Sequence, residues 1–209
     1  MEQHLKLFPT NLGIYQLDDF ETINAELMSN SELSTGAYDF VKRENVWGLN
    51  DRVPAVKRLH DFMLECAARY AENSYNYEYH PEYFYHAEGW TQSTDAQDYN
   101  FFMHNHRMNH LSAVYYVNVD DKSGDIDFVD PRSNLGFLDL NNYANLNIHR
   151  VHPVPGMLVL FPGWLLHYVH PNKSNIIRQV IATNIKVKDE HTFYKKGFTT
   201  QTNKSSLKL

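Results

Sequence analysis

The chain has 209 residues, of which 43% are hydrophobic and 14% aromatic, and 19 basic against 25 acidic residues give it a formal charge of -6. This size predicts one domain with a sizeable core. The negative charge argues against non-specific nucleic-acid binding, so we expect no nucleic-acid partner. One cysteine excludes a disulfide-built fold. We expect a soluble cytoplasmic protein, because residues 1–10 lack a signal-peptide pattern and no run of about 18 apolar residues predicts a membrane span.

Two helices are predicted in the first third of the chain. The first follows Asp18 and Asp19, which can cap it, and its apolar residues are three and four apart: Phe20, Ile23 and Leu27. The second begins at Pro54 and has one apolar stripe: Val56, Leu59, Met63, Cys66 or Ala67, and Tyr70. Cys66 lies on this stripe, which predicts a buried side chain and not a catalytic thiol.

After about Tyr75 the chain changes to alternating aromatic residues and then to short β-rich runs. These runs are residues 111–119, 126–129, 157–161, 165–169 and 176–187. Turn-forming pairs such as Pro162-Gly163 separate them. Many short strands divided by turns predict a mainly β sandwich or barrel with flanking helices. We expect a single domain with an N-terminal helical and aromatic support (1–95), a β core (96–188) and a polar C-terminal tail (189–209).

A pair of histidines, His104 and His106, directly precedes the predicted strand that begins at Leu111. Residues two apart in an extended segment point to the same side, so imidazoles about 6 to 7 Å apart can converge on one ion. A third ligand must come from elsewhere. His167 ends an apolar run, where an unpaired imidazole would be costly to bury. The spacing predicts a metal site at these three histidines, although chance pairs also arise among 12 histidines.

One arginine, Arg178, lies in a run rich in Ile, Val and Ala. A cation in such a strand is costly to bury without an anionic partner. Arginine is suited to holding a carboxylate through two parallel hydrogen bonds. Two interpretations stay open: Arg178 faces solvent or pairs with one of the 25 acidic residues, or it binds an organic acid close to the metal.

Taken in order, these residues resemble the iron(II)/2-oxoglutarate-dependent oxygenases, and more narrowly a group of such oxygenases described mainly from bacteria and their phages. The similarity covers roughly residues 100–185, because that part of the chain carries the ordered set of motifs. They are His104-Asn105-His106, Asp130-Pro131-Arg132, Leu160-Phe161-Pro162, Trp164 with His167, and Arg178.

The resemblance implies a double-stranded β-helix (jelly roll) with flanking helices, and so a jelly-roll core at 96–188. It implies iron(II) held by His104, His106 and His167. It also implies that the far carboxylate of 2-oxoglutarate meets Arg178, with Tyr116 as a second contact. The implied reaction uses O2 to hydroxylate an unidentified small-molecule or peptide substrate, releasing succinate and CO2.

Other residues of the matching motifs have expected roles near the substrate. Asp130 and Arg132 are expected to contact the substrate at the mouth of the barrel, or else to form a turn salt bridge with each other. Trp164 is expected to wall the pocket, and the alternative is an ordinary β-domain aromatic.

Two positions depart from the family pattern. The usual iron site has two histidines and one carboxylate, and His106 stands where the carboxylate is expected. Three neutral ligands leave the site one unit more positive, unless a nearby acid such as Asp130 replaces His106. Val180 stands where many members have a serine that helps to bind the cosubstrate carboxylate.

Two other functions stay open from the sequence. A zinc-dependent hydrolase or hydratase can also be built on three histidines and an open water position, although that chemistry has no use for Arg178. A non-catalytic jelly-roll binding module is compatible with Val180 and with the missing carboxylate ligand.

Overall fold

The computed structural model describes residues 9–33, 45–75, 80–97, 102–132 and 148–188. Two α-helices and eight β-strands lie in these ranges, together with two short 3₁₀ helices at Val46–Leu49 and Pro81–Tyr83. The elements in chain order are β1 (Gly13–Gln16), α1 (Phe20–Ser29), α2 (Pro54–Tyr75), β2 (Phe84–Thr94), β3 (Leu111–Asn118), β4 (Ile126–Val129), β5 (Ile148–Val151), β6 (Met157–Pro162), β7 (His167–Val169) and β8 (Arg178–Val187). In these ranges, neither helix combines the length and the apolar character needed to span a bilayer.

The strands form two antiparallel sheets that pack against each other. One has five strands in the order β1-β6-β3-β8-β2, and the other has three in the order β5-β4-β7. One apolar cluster takes residues from both sheets, including Tyr116 and Val180 from the first and Ile126 and Phe128 from the second. The space between the sheets is therefore the interior of a jelly roll, and the mainly β prediction is confirmed.

Both helices contribute to a second apolar cluster on the opposite face of the five-stranded sheet. The predicted stripe of α2 is buried, and Cys66 within it is fully buried. Burial raises the pKa of the Cys66 thiol to about 11, as expected for a packing residue. Asp19 occupies the N-cap position of α1, as predicted, but its side chain makes no cap hydrogen bond. Its carboxylate instead accepts two hydrogen bonds from Arg58 of α2, each 3.1 Å long.

The five predicted β-runs correspond to β3, β4, β6, β7 and β8, with ends that differ by at most two residues. Three further strands, β1, β2 and β5, were not predicted. Both β1 and β5 have only four residues. In β2 a bulge between His86 and Glu88 interrupts the alternation of inward and outward side chains. Both β1 and β2 precede residue 96, and both belong to the five-stranded sheet.

A buried carboxylate, Asp127, joins the three strands of the smaller sheet on its outer face. Arg150 on β5 donates two hydrogen bonds to it, of 2.7 and 2.8 Å, and the Tyr168 hydroxyl on β7 donates one of 2.8 Å. His170 Nε2 lies 2.8 Å from the same carboxylate. Burial alone would raise the pKa of Asp127, but the hydrogen bonds from Arg150, His170 and Tyr168 outweigh it and hold this pKa well below its usual range.

Replacing this carboxylate should destabilise the protein. We expect Asp127→Asn to lower the free energy of unfolding by about 2 to 4 kcal/mol, because Arg150 loses its buried anionic partner. Urea unfolding near pH 7 measures the change. The exposed Asp121 provides the matched control, and Asp121→Asn should change stability by less than about 0.5 kcal/mol.

The difference in stability between wild type and Asp127→Asn should depend on pH. Because folding lowers the pKa of Asp127, its stabilising contribution is complete well above the unfolded carboxyl pKa of about 3.9 and is lost as the pH falls further. The stability difference between wild type and Asp127→Asn should therefore narrow as the pH is lowered from neutral to below about 4. A constant difference across this range would contradict the role of the ionised carboxylate.

Candidate metal centre

Two of the predicted ligands, His104 and His167, are joined by backbone hydrogen bonds. The His104 N–H donates to the His167 carbonyl, and the His167 N–H donates to the His104 carbonyl, each at 3.0 Å. This antiparallel bridge attaches the segment before β3 to β7, where His167 lies opposite Phe128 of β4. The two imidazole rings are consequently 4.4 Å apart between centroids.

The Pro162-Gly163 turn positions the middle histidine. The His106 N–H donates to the Gly163 carbonyl at 2.7 Å, and the Gly163 N–H donates to the His110 carbonyl at 3.1 Å. A Cβ atom at Gly163 would lie 2.3 Å from the Asn109 carbonyl oxygen and 2.9 Å from that of His106. Only glycine therefore permits this close backbone approach. The His106 ring lies 5.2 Å from each of the other two imidazole rings.

The three histidines form a group in which one nitrogen from each ring lies within 4.8 Å of the others. That spacing suits three ligands of one metal ion, since nitrogen atoms about 2.0 to 2.1 Å from a shared ion are about 3 to 4 Å from one another. The structure thus brings His104, His106 and His167 together as the sequence predicts.

Backbone carbonyls fix the tautomers of two of the rings. His104 Nδ1 lies 2.8 Å from the Phe102 carbonyl oxygen, and His167 Nδ1 lies 2.9 Å from that of Leu165. A carbonyl can only accept, so Nδ1 carries the proton in both rings and Nε2 keeps its lone pair for a metal. Burial lowers the pKa of His167 to about 3, the bond to Leu165 opposes this shift, and the neighbouring histidines reinforce it. His167 is therefore neutral near pH 7, as a ligand must be.

Aromatic side chains surround the histidines. The Phe161 ring lies 4.7 Å and the Phe128 ring 6.0 Å from the His167 ring. The Trp90 ring lies 6.1 Å from that of His106, whereas the side chain of Trp164 is 51% exposed. Trp90 was missed as a site residue because β2 itself was not predicted. The residues two positions away on the same face, Glu88 and Gln92, are both polar, so no alternation of apolar and polar residues indicates it.

Polar side chains also face the interior from β3 and β8. Arg178 is 2% exposed, which excludes the solvent-facing interpretation. Tyr116 is fully buried, lies opposite Val180, and has a hydroxyl with no hydrogen-bond partner among the described residues. Burial raises the pKa of Tyr116 to about 12, and the positive charge of Arg178 opposes this shift. The tyrosine is therefore a neutral O–H donor close to a cation, which fits an anionic ligand.

The predicted alternative ligand, Asp130, is engaged elsewhere. Arg132 donates side-chain hydrogen bonds of 2.9 and 2.6 Å to its carboxylate. The hydrogen bond from Arg132 is the largest cause that lowers the pKa of Asp130. Asp130 does not belong to the group formed by the three histidines. The expected turn salt bridge is present, and it is His106, not Asp130, that joins the other two histidines.

A comparison with models of known protein families agrees with this geometry. Residues 88–184 match the family model described as "Putative 2OG-Fe(II) oxygenase". This range contains all three histidines, Tyr116 and Arg178. The resemblance predicted from the sequence is therefore confirmed. A search of curated proteins gave no match.

Solved structures of related architecture support the fold. A prolyl-4-hydroxylase from Pseudomonas putida aligns with a TM-score of 0.53 and 16% identity, over 86% of this chain and 89% of that one. The non-heme α-ketoglutarate-dependent epimerase SnoN of nogalamycin biosynthesis gives a TM-score of 0.60 and 12% identity, over 85% and 79%. HygX from Streptomyces hygroscopicus, with nickel and 2-oxoglutarate bound, gives 0.56 and 12%, over 86% and 83%. These similarities confirm the double-stranded β-helix.

Removing one histidine should abolish tight metal binding. We expect His167→Ala to weaken Fe(II) or Co(II) binding by at least about a hundredfold, because one of three protein ligands is lost. Anaerobic titration followed by metal analysis measures this affinity, and circular dichroism checks folding. His104→Ala, at a less buried position, should have the same effect. His149→Ala, at an exposed position on β5, is the control, and equal affinity in all four proteins would contradict a three-histidine site.

The close approach of Gly163 to the backbone of His106 and Asn109 should also affect metal binding. We expect Gly163→Ala to displace the His106 segment, lower the stability by about 1 to 3 kcal/mol and weaken metal binding. Gly48→Ala is a suitable control, because a Cβ atom at Gly48 meets nothing within 4 Å. If Gly163→Ala binds metal as wild type does, the turn does not position His106.

Proposed function

We propose, from the match of residues 88–184 to the 2OG-Fe(II) oxygenase family model, that this chain is an iron(II)/2-oxoglutarate-dependent oxygenase that hydroxylates a small-molecule or peptide substrate. The supporting observation is one of placement. Three imidazole nitrogen donors and a separate pair formed by a guanidinium and a phenol belong to the same jelly-roll domain. The first group is suited to a metal, and the second is suited to a carboxylate.

In this proposal His104, His106 and His167 hold iron(II) through one nitrogen each and leave its other positions open. Iron(II) bound there would supply the activation of O2 that is coupled to oxidative decarboxylation of 2-oxoglutarate to succinate and CO2. The rings of Phe128, Phe161 and Trp90 limit the access of water to the site.

Arg178 binds the far carboxylate of 2-oxoglutarate through two parallel N–H···O bonds, and the Tyr116 hydroxyl donates a third. Both side chains are buried, so their attraction for an anion is screened less than it would be at the surface. None of these three ligands is a carboxylate, so the three histidines themselves do not offset the charge of the metal. An anionic chelating cosubstrate gains from that uncompensated charge.

Substrate contacts are assigned to the edge of the site. We propose that the Asp130–Arg132 ion pair and the half-exposed Trp164 contact the substrate there. O2 is the second substrate.

A zinc-dependent hydrolase or hydratase is the second candidate, because three neutral histidines are a common donor set for catalytic zinc. Metal analysis after expression separates the two candidates. Stoichiometric zinc that survives dialysis, together with activity lost only to zinc chelators, would favour the zinc enzyme. Metal binding without any turnover of 2-oxoglutarate would favour a binding module.

A spectroscopic experiment tests the proposed function. Anaerobic addition of 2-oxoglutarate to the iron(II)-loaded protein should produce the weak visible charge-transfer band of the chelate. We expect Arg178→Lys to raise the concentration of 2-oxoglutarate required for half of this band by about tenfold, because lysine cannot form two parallel hydrogen bonds. Iron(II) affinity should stay unchanged. Arg52→Lys, at an exposed ion pair with Glu32, is the matched control.

Two results would count against the proposal. The first is a wild-type protein that has iron bound but shows no band with 2-oxoglutarate. The second is an Arg178→Lys variant with unaltered 2-oxoglutarate dependence, which would remove Arg178 from the cosubstrate site.

A further inference from the structure

Gln92 is a third polar side chain in this region, after Arg178 and Tyr116. It lies in one cross-strand row with Val180 and Tyr116, that is, at directly opposite positions of β2, β8 and β3. In the register of the five-stranded sheet, Gln92 on β2 lies opposite Val180 on β8, and Val180 lies opposite Tyr116 on β3. Directly opposite residues share one face of a sheet, with Cβ atoms about 4.5 to 5.5 Å apart. Val180 and Tyr116 both belong to the apolar cluster between the sheets. Gln92 therefore faces the jelly-roll interior.

Each end of this row carries a buried hydrogen-bond donor that has no partner among the described residues. The Gln92 Nε2 atom and the Tyr116 hydroxyl are buried, and neither has a hydrogen-bond partner among the described residues. A buried donor without a partner costs about 1 to 3 kcal/mol, and native proteins leave few of them. Two such donors on either side of one apolar residue indicate a ligand that accepts hydrogen bonds from both.

The ligand must also suit the neighbouring charge. Arg178 lies two residues before Val180 on the same strand, so its side chain faces the same interior. A guanidinium, an amide N–H and a phenol O–H are all donors. A carboxylate has only acceptors and a negative charge, so it complements all three.

Two other hydroxyls on β3 and β8 are already engaged, and one of them, Thr183, lies on the opposite face of the sheet from Val180. The Thr183 hydroxyl accepts from Trp47 Nε1 at 2.9 Å and donates to the Glu88 carbonyl at 2.7 Å. The Ser112 hydroxyl donates to Asn184 Oδ1 at 2.7 Å. Neither hydroxyl hydrogen is available to take the role of the family's serine at position 180.

We propose that Gln92 binds the far carboxylate of 2-oxoglutarate, its Nε2 donating the hydrogen bond that a hydroxyl at position 180 would otherwise supply. This assignment rests on the proposed function. In this assignment the carboxylate subsite is formed by residues of three neighbouring strands, β2, β8 and β3. The polar side chain lies on β2, opposite Val180, and not at position 180 itself.

The test uses the iron(II)-loaded protein under anaerobic conditions and two oxoacids, 2-oxoglutarate and 2-oxobutyrate, which lacks the far carboxylate. We expect Gln92→Leu to raise the Kd for 2-oxoglutarate by about tenfold or more, as for the loss of a hydrogen bond to a charged group. The Kd for 2-oxobutyrate and the affinity for iron(II) should stay unchanged. Ser93→Ala, at the next position on β2 and on the opposite face, is the control.

A rescue experiment separates a direct contact from a structural effect. In the double variant Gln92→Leu/Val180→Ser, the new hydroxyl faces the same interior, so the Kd for 2-oxoglutarate should return most of the way to the wild-type value. A merely structural defect at position 92 would not be repaired by a serine one strand away.

The possible failures are distinguishable. If the iron(II)-loaded wild type does not bind 2-oxoglutarate, the proposed function itself is wrong. If the wild type binds it and Gln92→Leu binds it equally well, only the assignment of Gln92 is overturned. Equal weakening of both oxoacids, or no recovery in the double variant, also overturns that assignment.

Discussion

The reciprocal backbone hydrogen bonds between His104 and His167 are the constraint on which the candidate metal centre depends. They join the segment before β3 to β7, which belongs to the other sheet. The histidines therefore come together only when the two sheets close around the interior. Because such a site does not exist in the unfolded chain, metal binding and folding are coupled, and a bound ion stabilises the closed jelly roll. Gly163 completes this arrangement by allowing the His106 segment to approach the end of β6.

Polar groups inside the jelly roll fall into two kinds. The Ser112 hydroxyl donates to Asn184 Oδ1, and the Asn184 amide donates to the Glu88 carboxylate, so these groups add specificity to the core without requiring a ligand. The donors of Tyr116 and Gln92 have no such partners among the described residues. With Arg178 they form an interior that favours anions, in a chain whose formal charge is -6. The local charge of a site, and not the net charge of the protein, decides which ligand it accepts.

Residue type and periodicity were sufficient to predict much of the fold. The apolar stripe of α2 and the strands β3, β4, β6, β7 and β8 follow from spacing that is visible in the sequence. The strand β2 was not predictable, because its bulge and its polar residues hide the alternation of a half-buried strand. Asp19 has the preferred side chain for a helix cap, but Arg58, distant in the sequence, binds it instead. The division of the chain at residues 95/96 stays a prediction, and the predicted tail at 189–209 lies outside the described residues.

The candidate site shows the same limit at the level of single residues. His104, His106, His167 and Arg178 are recognisable because an imidazole pair and a cation in an apolar strand are unusual wherever they occur. Gln92 is an ordinary residue until the register places it opposite Val180. A hydroxyl lost at one position of a sheet can be replaced by a donor on the neighbouring strand, since directly opposite side chains reach the same space. When a residue departs from a family motif, the side chains directly opposite it on the neighbouring strands therefore have to be considered as well. A valine at position 180 does not by itself remove the carboxylate subsite.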